Sequence, residues 1–230
     1  MARYTTVLFD ADNTLLDFNR SEREALFDAL AKMGVTPREE MLGVYSSIND
    51  SFWKKLERGE ITKSALREAR FVAFCEHFGL AVDTAALSLA YTDALATKSY
   101  LLEGAERTCL ALAPYARLCI ITNGLKSVQE GRFNVSPLKP LFSHVFISEE
   151  MGCEKPGRAY FDAVAAALED FDPQKTLVVG DSLSSDIKGG IHAGLDTCWF
   201  NPAGAPVPDG MPITYVVRAL EDVVPLVLGA

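Results

Sequence analysis

Apolar residues are spaced in two different ways along this chain of 230 residues. From about Ser21 to Lys98 they recur every three or four positions, which is typical of amphipathic helices, and no strand-like run interrupts them. After about Tyr100, short apolar runs rich in β-branched residues alternate with helical segments. Such runs, apolar on both faces, indicate strands of a parallel sheet that helices cover on both sides. The predicted strands are residues 5–9, 118–122, 145–148, 176–180 and 197–201, with helices at 159–168 and 186–193 among them.

The helical stretch carries its own start and stop signals. The first helix should end at Gly34. Residues 36–39, Thr-Pro-Arg-Glu, have the pattern of a capping box with proline at the first helical position, and they predict the start of a second helix. Thr62 and Asp83 are placed to cap two more helices, and Gly79 is placed to end the helix between them.

The strand at residues 5–9 has no strand to pair with in the helical stretch that follows it. We therefore expect it to join the sheet built by the later strands, so that the helical stretch is an insertion after the first strand. The predicted fold class is α/β, a Rossmann-like parallel sheet with helices on both faces and an inserted all-helical cap domain. The expected domains are a catalytic core of residues 1–16 and 101–230 and a cap of residues 17–100.

Polar residues stand where the predicted strands end. In sheets of this kind, ligands bind outside the carboxyl ends of the strands, at the point where the strand order changes direction. The cap would emerge on the same edge, where it could act as a lid. The residues that the pattern brings to this edge are Asp10, Asp12, Thr14, Thr122, Asn123, Lys155, Asp181 and Asp186.

Four carboxylates in one cleft repel one another unless a cation lies among them. A phosphate monoester would add nearly two more negative charges, whereas Mg²⁺ and Lys155 return three positive ones. Protonation of Asp12, which its acidic neighbours favour, reduces the excess of negative over positive charge. It also gives a group that can protonate a leaving oxygen. Mg²⁺ prefers hard oxygen ligands, so Asp10, Asp181 and a backbone carbonyl near Asp12 would suit it.

Each of these residues also has an ordinary structural interpretation. An Asp after a strand, such as Asp10, is most often a turn former, and Asp186 is placed to cap the helix that it begins. Residues 122–124 can be a simple turn or a phosphate cradle, and most lysines, including Lys155 by default, are solvated. Asp181 is harder to explain as structure, because a carboxylate at the end of a core strand needs a partner.

Composition narrows the function classes. The formal net charge of −9 argues against binding of nucleic acid polymers, which requires clustered Lys and Arg. No apolar stretch reaches the ~18 residues of a membrane helix, and residues 1–4 lack the features of a signal peptide. The five cysteines are scattered without a CxxC pair, which indicates buried free thiols and predicts a cytoplasmic protein.

These motifs, in this order, resemble those of the haloacid dehalogenase-like hydrolase superfamily, and the helical insertion resembles its first type of cap. Residues 52–62, 147–152, 185–191 and 193–199 are similar to bacterial pyrimidine 5′-nucleotidases, so the resemblance covers essentially the whole chain. One departure is Gly157, where a polar capping residue is expected, so that the helix start there should be looser. The matches to the four superfamily motifs are Asp10, Asp12 and Thr14, then Thr122, then Lys155, then Asp181 and Asp186.

The resemblance implies a Mg²⁺-dependent phosphomonoesterase that acts on pyrimidine nucleoside monophosphates. Asp10 would attack phosphorus to form an aspartyl-phosphate, and Asp12 would protonate the leaving oxygen and then activate water. The expected partner is a small phosphate monoester, with no nucleic acid polymer and no membrane, and the oligomeric state is open. The residues expected to hold the phosphoryl oxygens are Thr122, Asn123 and Lys155. The residues expected at the metal are Asp10, Asp12, Asp181 and Asp186.

Two rival functions and one question of specificity remain open. A sugar phosphomutase or sugar-phosphate phosphatase would use the same core residues and differ in its cap. A phospho-accepting signalling module also combines an acidic cluster with Thr and Lys, but an acid/base at Asp12 would shorten the life of its acyl phosphate. Four aromatic residues of the cap could stack on a base, although their spacing favours packing in a helical core. They are Phe52, Trp53, Phe71 and Phe74.

Overall fold

The computed structural model describes residues 2–229 and contains a six-stranded parallel sheet. Its strands are β1 (Thr6–Phe9), β2 (Arg117–Thr122), β3 (His144–Ile147), β4 (Thr176–Gly180), β5 (Asp196–Phe200) and β6 (Tyr215–Val217). The helices are α1 (Phe18–Lys32), α2 (Glu39–Glu57), α3 (Lys63–Phe78), α4 (Thr84–Ala96), α5 (Ala105–Leu112), α6 (Lys126–Asn134), α7 (Ser148–Met151), α8 (Arg158–Ala167), α9 (Lys188–Ala193) and α10 (Val223–Leu228). A π-helical turn spans Leu183–Ile187, and 3₁₀ turns span Lys139–Leu141, Pro173–Lys175 and Leu220–Asp222.

The strand order places the predicted polar residues at one point of the sheet. The order is β3-β2-β1-β4-β5-β6, so the chain first builds outward from β1 through β2 and β3 and then continues on the other side of β1 from β4. The direction changes between β1 and β4, and ligand crevices of open α/β sheets form at the carboxyl ends of two such strands. Asp10 follows β1 and Asp181 follows β4, so both lie at this switch point.

Alternate residues of the central strands face two separate hydrophobic clusters. In β1, Val7 and Phe9 belong to the cluster that contains residues of α5 and α10, whereas Leu8 belongs to the cluster that contains residues of α8. Strands β2 and β4 alternate in the same way. Because successive side chains of a strand point to opposite faces, the sheet is covered on both sides, as the apolar runs predicted.

Helices α1 to α4 form a helical unit with an aromatic and a polar centre. The Tyr45 ring lies 5.2 Å from the Phe71 ring, 5.7 Å from the Phe74 ring and 5.3 Å from the Tyr91 ring, measured between centroids. Beside them the buried Asn49 donates from Nδ2 to Glu22 (2.9 Å) and accepts at Oδ1 from Arg70 Nη1 (2.7 Å). This one amide links a buried carboxylate on α1 to a buried guanidinium on α3, so that each of these charged groups has a hydrogen-bond partner inside the unit.

Most of the predicted helix signals are confirmed, and one is wrong. Thr62 accepts from Ala65 N, Asp83 accepts from two backbone N–H groups of α4, and Gly79 ends α3 in a left-handed conformation. The capping box at residues 36–39 does not form: α2 begins at Glu39, after Arg38, and no side chain caps it. The strand β6 was not predicted, because three residues are too short for a periodic pattern.

The chain divides into two compact units. One comprises Met1–Phe18, Tyr100–Lys126 and Phe133–Ala230 and contains the sheet, and the other comprises Asn19–Ser99 and Ser127–Arg132. Six residues of α6, Ser127–Arg132, group with the helical unit. All five cysteines are free, with Cys153 half-buried and the others buried. No helix among the described residues has the length and apolarity needed to cross a membrane.

Gly190 tests how closely α9 must approach the sheet. A Cβ at Gly190 would lie 2.6 Å from the Thr197 side chain on β5, so Gly190→Ala should lower the free energy of unfolding by about 1–3 kcal/mol. At Gly43 in α2 a Cβ would meet nothing within 4 Å, so Gly43→Ala should raise it by about 0.5–1 kcal/mol. Urea unfolding followed by circular dichroism measures both. Equal midpoints for Gly190→Ala and the wild type would contradict the packing.

Candidate active site

The carboxyl edge of the sheet is organised around the ammonium group of Lys155. Lys155 Nζ donates to Asp10 Oδ1 (2.7 Å), to Asp186 Oδ1 (2.7 Å) and to the backbone carbonyl of Ile121 (2.9 Å). The side chain is 2% exposed. An ammonium has three N–H donors, and these acceptors match that number. Lys155 therefore fixes two carboxylates against the end of β2, and the default interpretation as a solvated lysine is wrong.

Asp186 is a buried carboxylate held against the end of β4. It lies in the π-helical turn Leu183–Ile187, and its Oδ2 accepts from the backbone N–H of Ser182 at 3.1 Å. A Cβ at Gly180 would lie 2.3 Å from that same Oδ2, so glycine at the strand end is what admits the carboxylate. The alternative role of Asp186 as a helix cap is wrong, because the capping residue is Ser182, whose hydroxyl accepts from Ser185 N at 3.2 Å.

Thr14 and Trp199 hold Asp181. The Thr14 hydroxyl lies 3.2 Å from Asp10 Oδ2 and 3.4 Å from Asp181 Oδ1, and it accepts from Asp181 N at 3.1 Å. Trp199 Nε1 donates to the Asp181 carbonyl at 2.8 Å. Sequence reasoning missed Trp199. The available signal was an indole N–H in a core strand, which must find a partner.

The turn that carries Asp12 is closed by its own backbone. Ala11 O accepts from Leu15 N (3.0 Å) and from Leu16 N (2.8 Å), and Asn13 adopts a left-handed φ of 59°. This turn holds Asp12 two residues beyond Asp10, half-buried and close enough for its charge to raise the pKa values of Asp10 and Asp181.

Residues 122–124 form a tight turn at the end of β2. Thr122 Oγ1 accepts from Gly124 N at 3.1 Å. The side-chain amide of Asn123 makes two bonds to the backbone of Lys155: Nδ2 donates to its carbonyl (2.8 Å) and Oδ1 accepts from its N–H (3.0 Å). Asn123 thus ties the turn to the segment that carries Lys155, and contact of Asn123 with a phosphoryl group stays a prediction. Gly157 is the N-cap residue before α8 and provides no side-chain cap.

Burial and like charges set the protonation behaviour of the site. Burial, followed by the charge of Asp186, raises the pKa of Asp10 well above its usual range, while Lys155 lowers it. Burial and Asp186 likewise raise the pKa of Asp181, to about 7. For Lys155, burial alone would lower the pKa, but the charges of Asp10 and Asp186 more than reverse this and raise it. The lysine is therefore charged at neutral pH.

The acidic residues fit a divalent cation. Oxygen atoms of Asp10, Asp181 and Asp186 all lie within 4.8 Å of one another, and these residues form the one such carboxylate group found in residues 2–229. When all three carboxylates are ionised, they and the Lys155 ammonium together carry an excess of two negative charges. Carboxylate oxygens at this spacing are the ligands that Mg²⁺ prefers. The Asp12 side chain lies outside this group of three, and a role of Asp12 or a nearby backbone carbonyl at the metal stays a prediction.

Comparison with known proteins identifies the family. The family model of haloacid dehalogenase-like hydrolases matches residues 4–194. The chain is 39% identical over 223 residues to YfnB of Bacillus subtilis, covering 96% of this chain and 94% of YfnB. It is 36% identical to pyrimidine 5′-nucleotidase PynA of Streptococcus pneumoniae (95% and 93% covered) and 34% identical to pyrimidine 5′-nucleotidase YjjG of Escherichia coli (96% of each covered).

Solved structures agree with this family. A crystal structure of YfnB from Bacillus subtilis, bound to magnesium, superimposes with a TM-score of 0.92 at 36% identity, over 98% of this chain and 99% of that one. The L-2-haloacid dehalogenase of Xanthobacter autotrophicus superimposes with a TM-score of 0.76 at 21% identity, over 98% and 99%, which shows a shared fold.

The raised pKa of Asp181 predicts how stability depends on pH and on metal. Its folded-state pKa of about 7 exceeds the usual 3.8, so the metal-free folded state retains a proton that the unfolded state loses. The resulting stability is present below the unfolded pKa and is lost as the pH rises from about 4 to about 7. Asp181→Asn should remove about 1–2 kcal/mol of this decline.

Urea unfolding of chelator-treated protein across this pH range measures the decline, with the exposed Asp170→Asn as control. At pH 7, MgCl₂ at about 100 times its dissociation constant should stabilise the wild type by about 2.7 kcal/mol and Asp181→Asn by less. If stability depended on pH and on MgCl₂ in the same way in Asp181→Asn and in Asp170→Asn, the assigned role of Asp181 would be contradicted.

Proposed function

Because the chain belongs to the haloacid dehalogenase-like hydrolases, we propose that it hydrolyses phosphate monoesters with Asp10 as nucleophile and Mg²⁺ as cofactor. The observation that carries this proposal is the position of Asp10. Its Oδ1 is 2.7 Å from the buried ammonium of Lys155, and it shares a cluster of oxygen atoms within 4.8 Å with Asp181 and Asp186. A carboxylate fixed in this way beside a cation site is arranged to attack phosphorus rather than to cap a turn.

Asp10 opens the reaction. The ammonium of Lys155 fixes its Oδ1, and the Thr14 hydroxyl lies at its Oδ2. One carboxylate oxygen forms a bond to phosphorus while the bond from phosphorus to the ester oxygen breaks, which gives an aspartyl-phosphate and an alcohol. Attack requires the ionised carboxylate, which Lys155 favours against the effect of burial.

Asp12 transfers the protons of both steps. In the first step its carboxyl group gives a proton to the departing ester oxygen. In the second step the resulting carboxylate takes a proton from water as the water oxygen attacks phosphorus. The acyl phosphate then separates into inorganic phosphate and the restored Asp10 carboxylate, so that protons and charge balance over the cycle.

The binding groups follow from the same geometry. Asp10, Asp181, Asp186 and the backbone carbonyl of Asp12 would hold Mg²⁺, which when bound neutralises charge on the carboxylates and on the phosphoryl oxygens. The phosphoryl oxygens would be held by Thr122 and the backbone of the turn that contains Asn123, and Lys155 would attract them through its positive charge.

For the substrate, we propose pyrimidine nucleoside monophosphates. The two relatives named as pyrimidine 5′-nucleotidases are 34–36% identical over at least 95% of this chain, whereas the N-acylneuraminate-9-phosphatase of Homo sapiens is 24% identical. The helical unit, as a cap, would select the base. Phe71 and Phe74 are fully buried in that unit, but Phe52 and Trp53 keep part of their surface exposed and are the aromatic residues available to a base. Free cysteines support a reducing, cytoplasmic location.

Removal of the nucleophile should abolish turnover. Asp10→Asn keeps the size of the side chain but cannot form the acyl phosphate, so phosphate release from an aryl phosphate should fall by at least ~10³-fold. A colorimetric phosphate assay measures this, and Asp170→Asn should retain wild-type activity. Wild-type rates in a purified, folded Asp10→Asn variant would eliminate Asp10 as the nucleophile.

Substrate choice is tested with a panel of phosphate esters. Values of kcat/KM should be highest for pyrimidine nucleoside monophosphates and at least ~10-fold lower for purine nucleotides and sugar phosphates. Specific contacts to a base supply about 1–3 kcal/mol of discrimination, which corresponds to a factor of this size. Equal values across the panel would remove the pyrimidine assignment but leave the phosphatase chemistry intact. Conversion of a sugar phosphate without release of phosphate would favour the mutase instead.

A further inference from the structure

A buried tyrosine hydroxyl joins β2 to β3 directly behind the phosphate turn. Tyr160, on α8, is completely buried. Its hydroxyl accepts from the backbone N–H of Thr122 at 3.1 Å and donates to the backbone carbonyl of Phe146 at 2.8 Å. Thr122 is the last residue of β2, and Phe146 is the next-to-last residue of β3. One oxygen atom therefore links the ends of two neighbouring strands at the edge where the site lies.

The hydrogen bond from Thr122 N to the Tyr160 hydroxyl fixes the residue at which the phosphate turn begins. Thr122 lies opposite Ile147 in the parallel register, and beyond this pair β2 enters the turn at residues 122–124. Within the turn, Thr122 Oγ1 accepts from Gly124 N. Thr122 and this turn are among the groups proposed above to hold phosphoryl oxygens. Tyr160 holds the backbone N–H of Thr122, and the direction of the Thr122 hydroxyl depends on that backbone.

The same helix also connects to Lys155. The Asn123 amide bonds to the backbone of Lys155 through both its oxygen and its nitrogen, and Lys155 Nζ donates to Ile121 O. The path from the end of β2 through Tyr160 and α8 to Lys155 and back through Asn123 is closed. The links at Thr122 and Asn123 are hydrogen bonds of buried or half-buried groups, and Tyr160 is joined to Lys155 by the chain itself, so a shift at one link is passed to the others.

The tyrosine keeps its proton. Burial raises its pKa above the usual value for a phenol, and the nearby charge of Lys155 only partly opposes this. A neutral hydroxyl can accept from one backbone group and donate to another at once, which phenylalanine cannot do. Tyr160 lies among apolar residues such as Phe161 and Val164, so a phenylalanine ring would be sufficient for packing at this position.

We propose that Tyr160 is a positioning residue for phosphate binding, acting through the backbone of Thr122 and not by contact with the substrate. This inference rests on the proposed function and adds to it a residue outside the four family motifs. Loss of the hydroxyl should leave the fold intact, loosen the turn at residues 122–124, and weaken the hold on phosphoryl oxygens in both the substrate and the product.

The chain offers a matched control in Tyr4. Tyr4 is 1% exposed in the same unit, and its hydroxyl also makes two contacts, to Asp196 at 2.5 Å and to Tyr215 at 3.2 Å. It precedes β1, whereas Asp196 and Tyr215 begin β5 and β6, so this cluster lies at the amino ends of the strands, opposite to the site. Tyr4→Phe thus removes another tyrosine hydroxyl that has two hydrogen-bond partners, at the edge of the sheet opposite to the phosphate turn.

The test compares Tyr160→Phe with Tyr4→Phe in the whole 230-residue chain, supplied with Mg²⁺. The readouts are kcat/KM for the best substrate, the inhibition constant of inorganic phosphate, amide hydrogen exchange of residues 122–124 and the urea midpoint. We expect Tyr160→Phe to lower kcat/KM and to raise the phosphate inhibition constant, each by about three- to tenfold, the factor that corresponds to one hydrogen bond. Exchange at residues 122–124 should also accelerate. Tyr4→Phe should change the two kinetic constants by less than about twofold, even if it lowers the urea midpoint as much as Tyr160→Phe does.

The outcomes separate this inference from the proposed function. If the wild type releases phosphate and the two tyrosine variants show the same kinetic constants, Tyr160 has a purely structural role and the inference is overturned. Unchanged exchange at residues 122–124 in Tyr160→Phe overturns it as well. If the wild type releases phosphate from no ester, the proposed function fails, and the positioning role fails with it.

Discussion

The site depends on one buried ammonium group. Lys155 Nζ bonds to Asp10, to Asp186 and to the carbonyl of Ile121, and so joins the ends of β1 and β2 to the turn after β4. Without this charge, burial and mutual repulsion would favour protonated carboxylates, which neither attack phosphorus nor bind a metal well. Lys155 opposes that protonation, and when the three carboxylates are ionised they exceed the lysine by two negative charges, which suits a divalent cation. The lysine therefore makes the acidic cluster stable enough to fold and negative enough to bind.

The fold supplies this arrangement through strand order. In a parallel sheet, all strands end at the same edge, so residues far apart in the chain meet wherever two strands are neighbours. That rule is why the sequence could predict the meeting of Asp10, Lys155, Asp181 and Asp186. The apolar runs located the strands, and the polar residue after each run located the site. The double-sided apolar character of β1, β2 and β4 likewise predicted a covered sheet.

The rest of the site was not predictable, because it depends on contacts made by single residues with no pattern around them. Tyr160 and Trp199 look like ordinary core aromatics in the sequence, and only the position of a backbone group beside each hydroxyl or indole shows its role. The role of Asp186 was ambiguous because Ser182, four residues earlier, competes for the cap. The α2 start moved to Glu39 because local capping preferences are worth about 1 kcal/mol and tertiary packing exceeds them.

The central claim, covalent catalysis by Asp10, is tested most directly by trapping the intermediate. Wild-type protein with Mg²⁺ and a substrate is quenched in acid within milliseconds, digested, and analysed by mass spectrometry. We expect one phosphoryl group on the peptide that contains Asp10, appearing and decaying at rates compatible with turnover. Phosphate release at the normal rate with Asp10 unmodified at every quench time, or with the phosphoryl group on another residue, would contradict the account.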